Sequence, residues 1–206
     1  MNFDYGLYPV ITSDFCKDRD IVKVLRDIIA GGAKIVQLRE KSRSKKEIYE
    51  IALKYRDITA NKGVTLIIND HVDIALAVGA DGVHLGQCDL PVSVAKLIAP
   101  NLIIGVSTHN PAEIKRAEKD GATYINIGPL FKTDTKKTGI KPLGLDYLKN
   151  VKTKLPYSVM GGIKTNRIEE LLKLGVKNIA MVTEITMADN IKEKVKTLLK
   201  LFDKYK

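Results

Sequence analysis

Residues 79–85 read GADGVHL, a glycine and a small residue leading through a turn into a short β-branched run. The same text recurs as GAKIVQL at 32–38, GATYINI at 121–127 and GVKNIAM at 175–181. A glycine at the front of each copy suits a helix that ends in a left-handed residue before the next strand begins. Gly31-Gly32, Gly79, Gly121 and Gly175 are read in that way. The strands this predicts are Leu7–Thr12, Ile35–Leu38, Thr65–Ile68, Gly82–Leu85, Leu102–Val106, Tyr124–Ile127, Tyr157–Met160 and Asn178–Met181. Amphipathic stretches fall between them, including Ile21–Ala30, Lys45–Ala60, Asn110–Lys119, Gly144–Val151, Asn166–Leu174 and Ile191–Phe202. A strand–helix repeat of roughly 20–30 residues with no long linker predicts a parallel sheet. The expected fold is α/β: a (β/α)8 TIM barrel as a single domain over residues 1–206. That is compact for an architecture that usually takes about 250 residues. A doubly wound open sheet is the alternative. The absence of Gly-x-Gly-x-x-Gly after the first strand weighs against it.

Bulk properties narrow the function classes. Apolar residues make up 45% and charged residues 28% of the chain, which is ordinary for a globular protein. There is no apolar run of about eighteen residues, so no membrane span is expected. The start, MNFDYGLYPVIT, lacks a basic segment followed by an apolar one, and no secretory signal is read there. Two cysteines, Cys16 and Cys88, make neither a disulfide framework nor a zinc site, and the expected compartment is the cytoplasm. The net charge of +10 is spread through helical stretches and the C-terminal tail. It favours anionic small-molecule substrates at long range rather than nucleic acid. Nothing in the pattern excludes a homo-oligomer.

Barrel enzymes carry their chemistry at the C-terminal ends of the strands. Here nearly every such end bears a donor, a cation or a carboxylate. Gln37-Leu38-Arg39-Glu40-Lys41 closes the second strand, and Asn69-Asp70 the third. His84, Gln87 and Asp89 follow the fourth, and Ser107-Thr108-His109 the fifth. Thr133, Asp134, Thr135, Lys136 and Lys137 follow the sixth, Gly161-Gly162 the seventh and Val182-Thr183 the eighth. The opposite loops are plain Gly-Ala closures. Alternation puts Gln37 and Arg39 on one side of their strand, facing the mouth, and turns Glu40 away into a structural role. Asn69-Asp70 has a second reading as the N-cap of a helix Val72–Val78. With Asp89 on the neighbouring tip, a metal role is preferred. Mg2+ is commonly held by one or two carboxylates, with water and substrate phosphates filling its other positions. The 133–139 loop reads as a lid whose Lys136 reaches a leaving phosphate. Gly161-Gly162 and Val182-Thr183 read as the phosphate site that this fold often builds after strands seven and eight. His71, His84 and His109 are given no catalytic role.

These ends also spell a family. QLREK at 37–41, IINDHVDIALAVGADGVHLGQCDLP at 67–91, GVSTHN at 105–110, GPLFKTDTKK at 128–137, GGI at 161–163 and MVTEI at 181–185 resemble thiamine-phosphate synthase, collinearly over nearly the whole chain. The resemblance implies a transferase that joins a hydroxymethylpyrimidine diphosphate to a thiazole phosphate and releases diphosphate. It implies that Gln37, Leu38, Arg39, Glu40, Lys41, Asn69, Ser107 and Lys136 hold the pyrimidine diphosphate. Asp70 and Asp89 would hold Mg2+. Thr133, Asp134, Thr135, Gly162, Val182 and Thr183 would hold the thiazole phosphate. One departure is visible: Thr183 stands where the family usually has Ser, with the hydroxyl kept. The chemistry expected is departure of the diphosphate from a ring-stabilised methylene and attack by the thiazole nitrogen, which needs no general base. Arg39, Lys41, Ser107 and Lys136 are the expected catalytic set.

Three rival functions are weighed. A thiazole tautomerase of similar fold would lack the two aspartates and carry a histidine after the glycine that ends strand six, where this chain has Pro129 after Gly128. A phosphosugar isomerase or epimerase would share the phosphate loops but not the Gln-x-Arg-x-Lys end. A nucleic-acid binder would need a basic stripe that the sequence does not show.

Overall fold

The computed structural model describes residues 3–133 and 139–205. Eight parallel strands close into a barrel in chain order. They are β1 (Leu7–Ile11), β2 (Ile35–Leu38), β3 (Thr65–Asn69), β4 (Gly82–Leu85), β5 (Ile103–Thr108), β6 (Tyr124–Ile127), β7 (Tyr157–Val159) and β8 (Asn178–Met181). The ring closes where β1 pairs with β8, Tyr8 against Ala180. The helices are α1 (Ile21–Ala30), α2 (Lys45–Lys62), α3 (Val72–Ala77), α4 (Val92–Ile98), α5 (Pro111–Lys119), α6 (Gly144–Lys149), α7 (Ile168–Lys173), α8 (Thr183–Thr186) and α9 (Ile191–Asp203). Short 3-10 turns at Ser13–Phe15 and Thr165–Arg167 follow β1 and β7. No helix among the described residues is long and apolar enough to cross a membrane.

The strands' period of two sorts their side chains into two layers. Leu7, Ile11, Val36, Leu38, Leu66, Ile68, Val83 and Ile104 join the larger apolar cluster between barrel and helices. Tyr8, Val10, Ile35, Ile67, Ile103, Tyr124 and Ala180 form a second cluster inside the barrel. Phe3 completes the inner cluster by stacking on Tyr124, ring centroids 4.1 Å apart. Asn178, at the start of β8, holds the entering chain there: its Nδ2 donates to the Phe3 carbonyl at 2.8 Å and its Oδ1 accepts from Tyr5 N at 2.8 Å.

Local chemistry sets the helix ends. Asp20 caps α1 by accepting from Val22 N and Lys23 N at 2.9 and 2.8 Å, a cap worth about 1 kcal/mol. Ser44 and Glu47 form a reciprocal capping box at the start of α2. Helix α1 then buries Ile21, Val24, Leu25 and Ile28 against the barrel, and truncating Ile21, Leu25 or Ile28 to Ala would cost about 2–5 kcal/mol. Gly31 is right-handed rather than left-handed, unlike Gly32 at φ 106°. It is small for a different reason: a Cβ there would lie 2.6 Å from Val195 on α9.

The strand and helix expectations hold with shifted ends. Strand β5 runs to Thr108, so Ser107 lies within the sheet, where it pairs with Asn126. The expected helix 166–174 splits into a 3-10 turn and α7. The short α8 was not foreseen; four residues carry too little periodicity to read.

Candidate active site

The C-terminal ends of the strands gather the polar residues on one rim. On its β2–β4 side, Asp70 and Asp89 come within hydrogen-bonding reach of each other. Neither Asn69 nor Asp70 caps α3: the N-cap is His71, and it makes no side-chain cap bond. The alternative reading of this pair as a helix cap therefore fails. Asp70 instead takes a left-handed backbone, φ 64°, with its N–H donated to the His84 carbonyl at 2.8 Å. Aspartate tolerates that conformation better than most residues. Here it turns the carboxylate toward Lys41, whose ammonium pairs with it, and toward Asp89. Burial pushes the Asp70 carboxyl above the usual range; Lys41 opposes this and the neighbouring Asp89 adds to it. Asp89 is held by the Gly86 N–H at 2.7 Å.

This donor set suits a hard divalent cation. Two adjoining carboxylates repel each other unless a cation lies between or beside them, and the Lys41 ammonium stands in for one. Among the described residues no third His, Cys, Asp or Glu completes a protein cage. That is the arrangement expected of Mg2+, which leaves most of its positions to water and phosphate.

On the β5–β8 side lies a cavity of about 380 Å³. Arg39, Ser107, Thr133, Gly162, Val182 and Thr183, all singled out from the sequence, line it. Phe15, Pro129, Met160, Ile163 and Met187 give it an apolar wall, and His109 lines it too. His109 is fixed by a ring bond to the Gly128 carbonyl and by its own N–H on Glu113 Oε2. The mouth after β7 and β8 leaves backbone close to the cavity. Gly161 and Gly162 take φ of 98° and 64°, and a Cβ on Gly162 would lie 2.3 Å from the Lys132 carbonyl oxygen. The first turn of α8 has no side-chain cap to satisfy its N–H groups. Glu184 ties the two loops together, accepting from Thr165 Oγ1 at 2.5 Å and from Lys194 Nζ at 3.2 Å. Burial works to raise its carboxyl, but these bonds prevail and hold it below the ordinary glutamate range.

The remaining expected residues divide. Gln37 and Asn69 point into the barrel beneath the rim, and the buried Nδ2 of Asn69 has no hydrogen-bond partner among the described residues. Leu38 turns outward into the helix-facing core, leaving only its backbone at the rim. Glu40 is buried and occupied by Ser13 N at 2.7 Å, Ser13 Oγ at 2.6 Å and Arg43 Nε at 3.1 Å. It fixes the loop after β1 to the end of β2, in keeping with its structural reading. Asp134, Thr135 and Lys136, with Lys137, lie outside the described residues. Cys16 is no nucleophile: it is buried, its thiol donates to the Thr12 carbonyl at 3.1 Å, and burial pushes it up to about 11.

Sequence reading missed Tyr8, Tyr124 and Asn126. Tyr8 and Tyr124 pass as core aromatics. The alternation Tyr124-Ile125-Asn126-Ile127 was a usable signal, because it places a polar amide on the inner face of a barrel strand. Asn126 lines the cavity, and its buried Oδ1 has no hydrogen-bond partner among the described residues.

Residues 7–185 match the family model for thiamine monophosphate synthase. The chain belongs to that family. The thiamine-phosphate synthase of Alkaliphilus oremlandii is 48% identical over 198 residues, covering 95% of this chain and 94% of the relative. That of Pelotomaculum thermopropionicum is 47% identical over 195 residues, covering 93% and 89%. The thiamine phosphate pyrophosphorylase structure from Pyrococcus furiosus superposes with a TM-score of 0.88 at 36% identity, covering 98% of this chain and 97% of the other. In this thiamine monophosphate synthase family member, the rim carries two carboxylates and the Lys41 ammonium on one side and a cavity with an apolar wall, lined also by Arg39, on the other.

Proposed function

We propose that this chain joins 4-amino-2-methyl-5-hydroxymethylpyrimidine diphosphate to 4-methyl-5-(2-phosphooxyethyl)thiazole, carboxylated or not, giving thiamine phosphate and diphosphate, with Mg2+ held by Asp70 and Asp89. The observation that supports this reading is the division of one rim into a half bearing Asp70, Asp89 and Lys41 and a half holding a cavity that Arg39, Ser107, Gly162 and Thr183 line. The diphosphate belongs on the Asp70–Asp89 side with Lys41. The thiazole phosphate belongs at Gly162, Val182 and Thr183, where backbone N–H groups can approach it. The thiazole ring lies along the apolar wall and faces the pyrimidine methylene.

Bond changes are few. The carbon–oxygen bond between methylene and diphosphate breaks, and its electron pair leaves with the diphosphate. The thiazole nitrogen supplies the pair for the new carbon–nitrogen bond and has no proton to lose, so no general base is needed. The chain's task is to position two rings and to stabilise the departing charge. Bound Mg2+ supplies charge neutralisation at the leaving diphosphate. Arg39 offers a planar fork to phosphate oxygens, and Lys41, paired with Asp70, a compact charge beside the same diphosphate. Lys136, from the loop after β6, is assigned to the same diphosphate.

The test is direct: incubate the purified protein with both phosphorylated precursors and Mg2+, and measure thiamine phosphate and diphosphate formed one for one. Absence of product with both precursors present rejects the reading. A fluorinated pyrimidine, which destabilises a methylene cation, should slow turnover greatly; an unchanged rate rejects the dissociative course.

A further inference from the structure

Five side chains form an unbroken hydrogen-bonded line across the inside of the barrel. Gln37 Nε2 donates to Tyr8 Oη at 2.8 Å. Tyr8 Oη meets Tyr124 Oη at 2.9 Å, Tyr124 Oη meets His84 Nδ1 at 2.9 Å, and His84 Nε2 meets Ser107 Oγ at 3.0 Å. All five residues are buried, and Ser107 alone lines the cavity.

The direction of the line follows from counting hydrogens. The amide nitrogen of Gln37 can only donate, so Tyr8 accepts from it and spends its single hydrogen on Tyr124. Tyr124, having accepted, donates to His84 Nδ1. The imidazole then carries its proton on Nε2 and donates to Ser107. Ser107 accepts, and its own hydrogen meets no acceptor among the described residues. Both phenols keep their protons at neutral pH, because burial raises them far above the ordinary tyrosine range. A protonated imidazolium would need Tyr124 to accept from both sides and leave its hydroxyl hydrogen stranded in the core. The Ser107 backbone is fixed as well, since its carbonyl accepts from Gln87 Nε2 at 2.6 Å.

We propose that Gln37, Tyr8, Tyr124 and His84 are positioning residues that hold His84 as the neutral Nε2–H tautomer and turn the Ser107 hydroxyl hydrogen into the cavity. Ser107 then meets the pyrimidine diphosphate as a donor with its direction already set, at no reorganisation cost on binding. The role assigned to Ser107 rests on the reaction proposed above; the tautomer does not.

Two measurements test this. The chain has three histidines, so 15N spectra of the ligand-free protein, assigned with His71→Gln and His109→Gln, read the His84 ring nitrogens one by one. The expected result near pH 7 is a proton on Nε2 and none on Nδ1. A proton on Nδ1, alone or with one on Nε2, overturns the proposal whether or not the enzyme turns over. The second is a cycle of Tyr124→Phe, Ser107→Ala and the double variant. Each single change should raise KM for the pyrimidine diphosphate by about tenfold, the scale of a hydrogen bond to a charged group. The double variant should be no worse than Ser107→Ala, because both changes remove one interaction. Losses that multiply would mean Tyr124 acts only through packing, and the relay would be rejected. Failure of the wild type to make thiamine phosphate, with the tautomer as expected, would instead reject the reaction.

Discussion

Asp70 concentrates the physical tension in the site. It is a half-buried carboxylate beside another carboxylate, in a left-handed backbone, balanced by one lysine. Replacing it with Asn removes the repulsion while keeping the shape. The fold should therefore survive, and turnover at saturating Mg2+ should fall by about 100-fold or more, on the order of 3 kcal/mol of lost transition-state stabilisation. Circular dichroism and product formation together check this. Gly162 is the second sensitive position. Its φ of 64° and the 2.3 Å approach to the Lys132 carbonyl leave no room for a methyl group. Gly162→Ala should raise KM for the thiazole phosphate more than it lowers thermal stability, and steady-state kinetics beside a melting curve separate the two effects. Much of this was legible in the sequence. Aspartates on adjacent strand ends and a Gly-Gly pair after strand seven announced themselves by position alone. The relay did not, because Tyr8 and Tyr124 each look like ordinary strand residues. Only the closed barrel brings residues 116 positions apart within one hydrogen bond.

The loops after β7 and β8 act as one unit because Glu184 on α8 binds Thr165 and Lys194. Its carboxyl is held below the ordinary value of 4.5 in the folded protein. The native state thus holds this proton less tightly than the unfolded chain does. Its contribution to stability is complete above the unfolded value and is lost as pH falls below 4.5 and through the depressed folded value. Glu184→Gln should lower stability at pH 7 and flatten the acid-side decline, as read by denaturant melts across pH. An unchanged slope would detach Glu184 from the phosphate loops. Element boundaries were the least readable part of the sequence. Strand β5 outran its apolar core by two residues because Ser107 and Thr108 still pair with β6, and polar residues at a barrel mouth look like loop when read alone.

The barrel as a whole works by convergence. Short strands give each βα end one or two polar groups, and closure of the ring brings Arg39, Asp70, Asp89, Ser107, Gly162 and Thr183 to one rim. The repeated glycine-to-strand text was enough to foresee this, because eight parallel strands without long linkers have few other ways to bury both faces. The net charge of +10 adds long-range attraction for two anionic substrates. The central claim is that one half of the rim receives diphosphate through a cation held by two aspartates. Calorimetric titration of inorganic diphosphate, with and without Mg2+, tests it most directly. The expected result is binding that tightens by about 100-fold or more when Mg2+ is added, and loses that gain in both Asp70→Asn and Asp89→Asn. Equal affinity with and without Mg2+, or a gain that survives both substitutions, would contradict it.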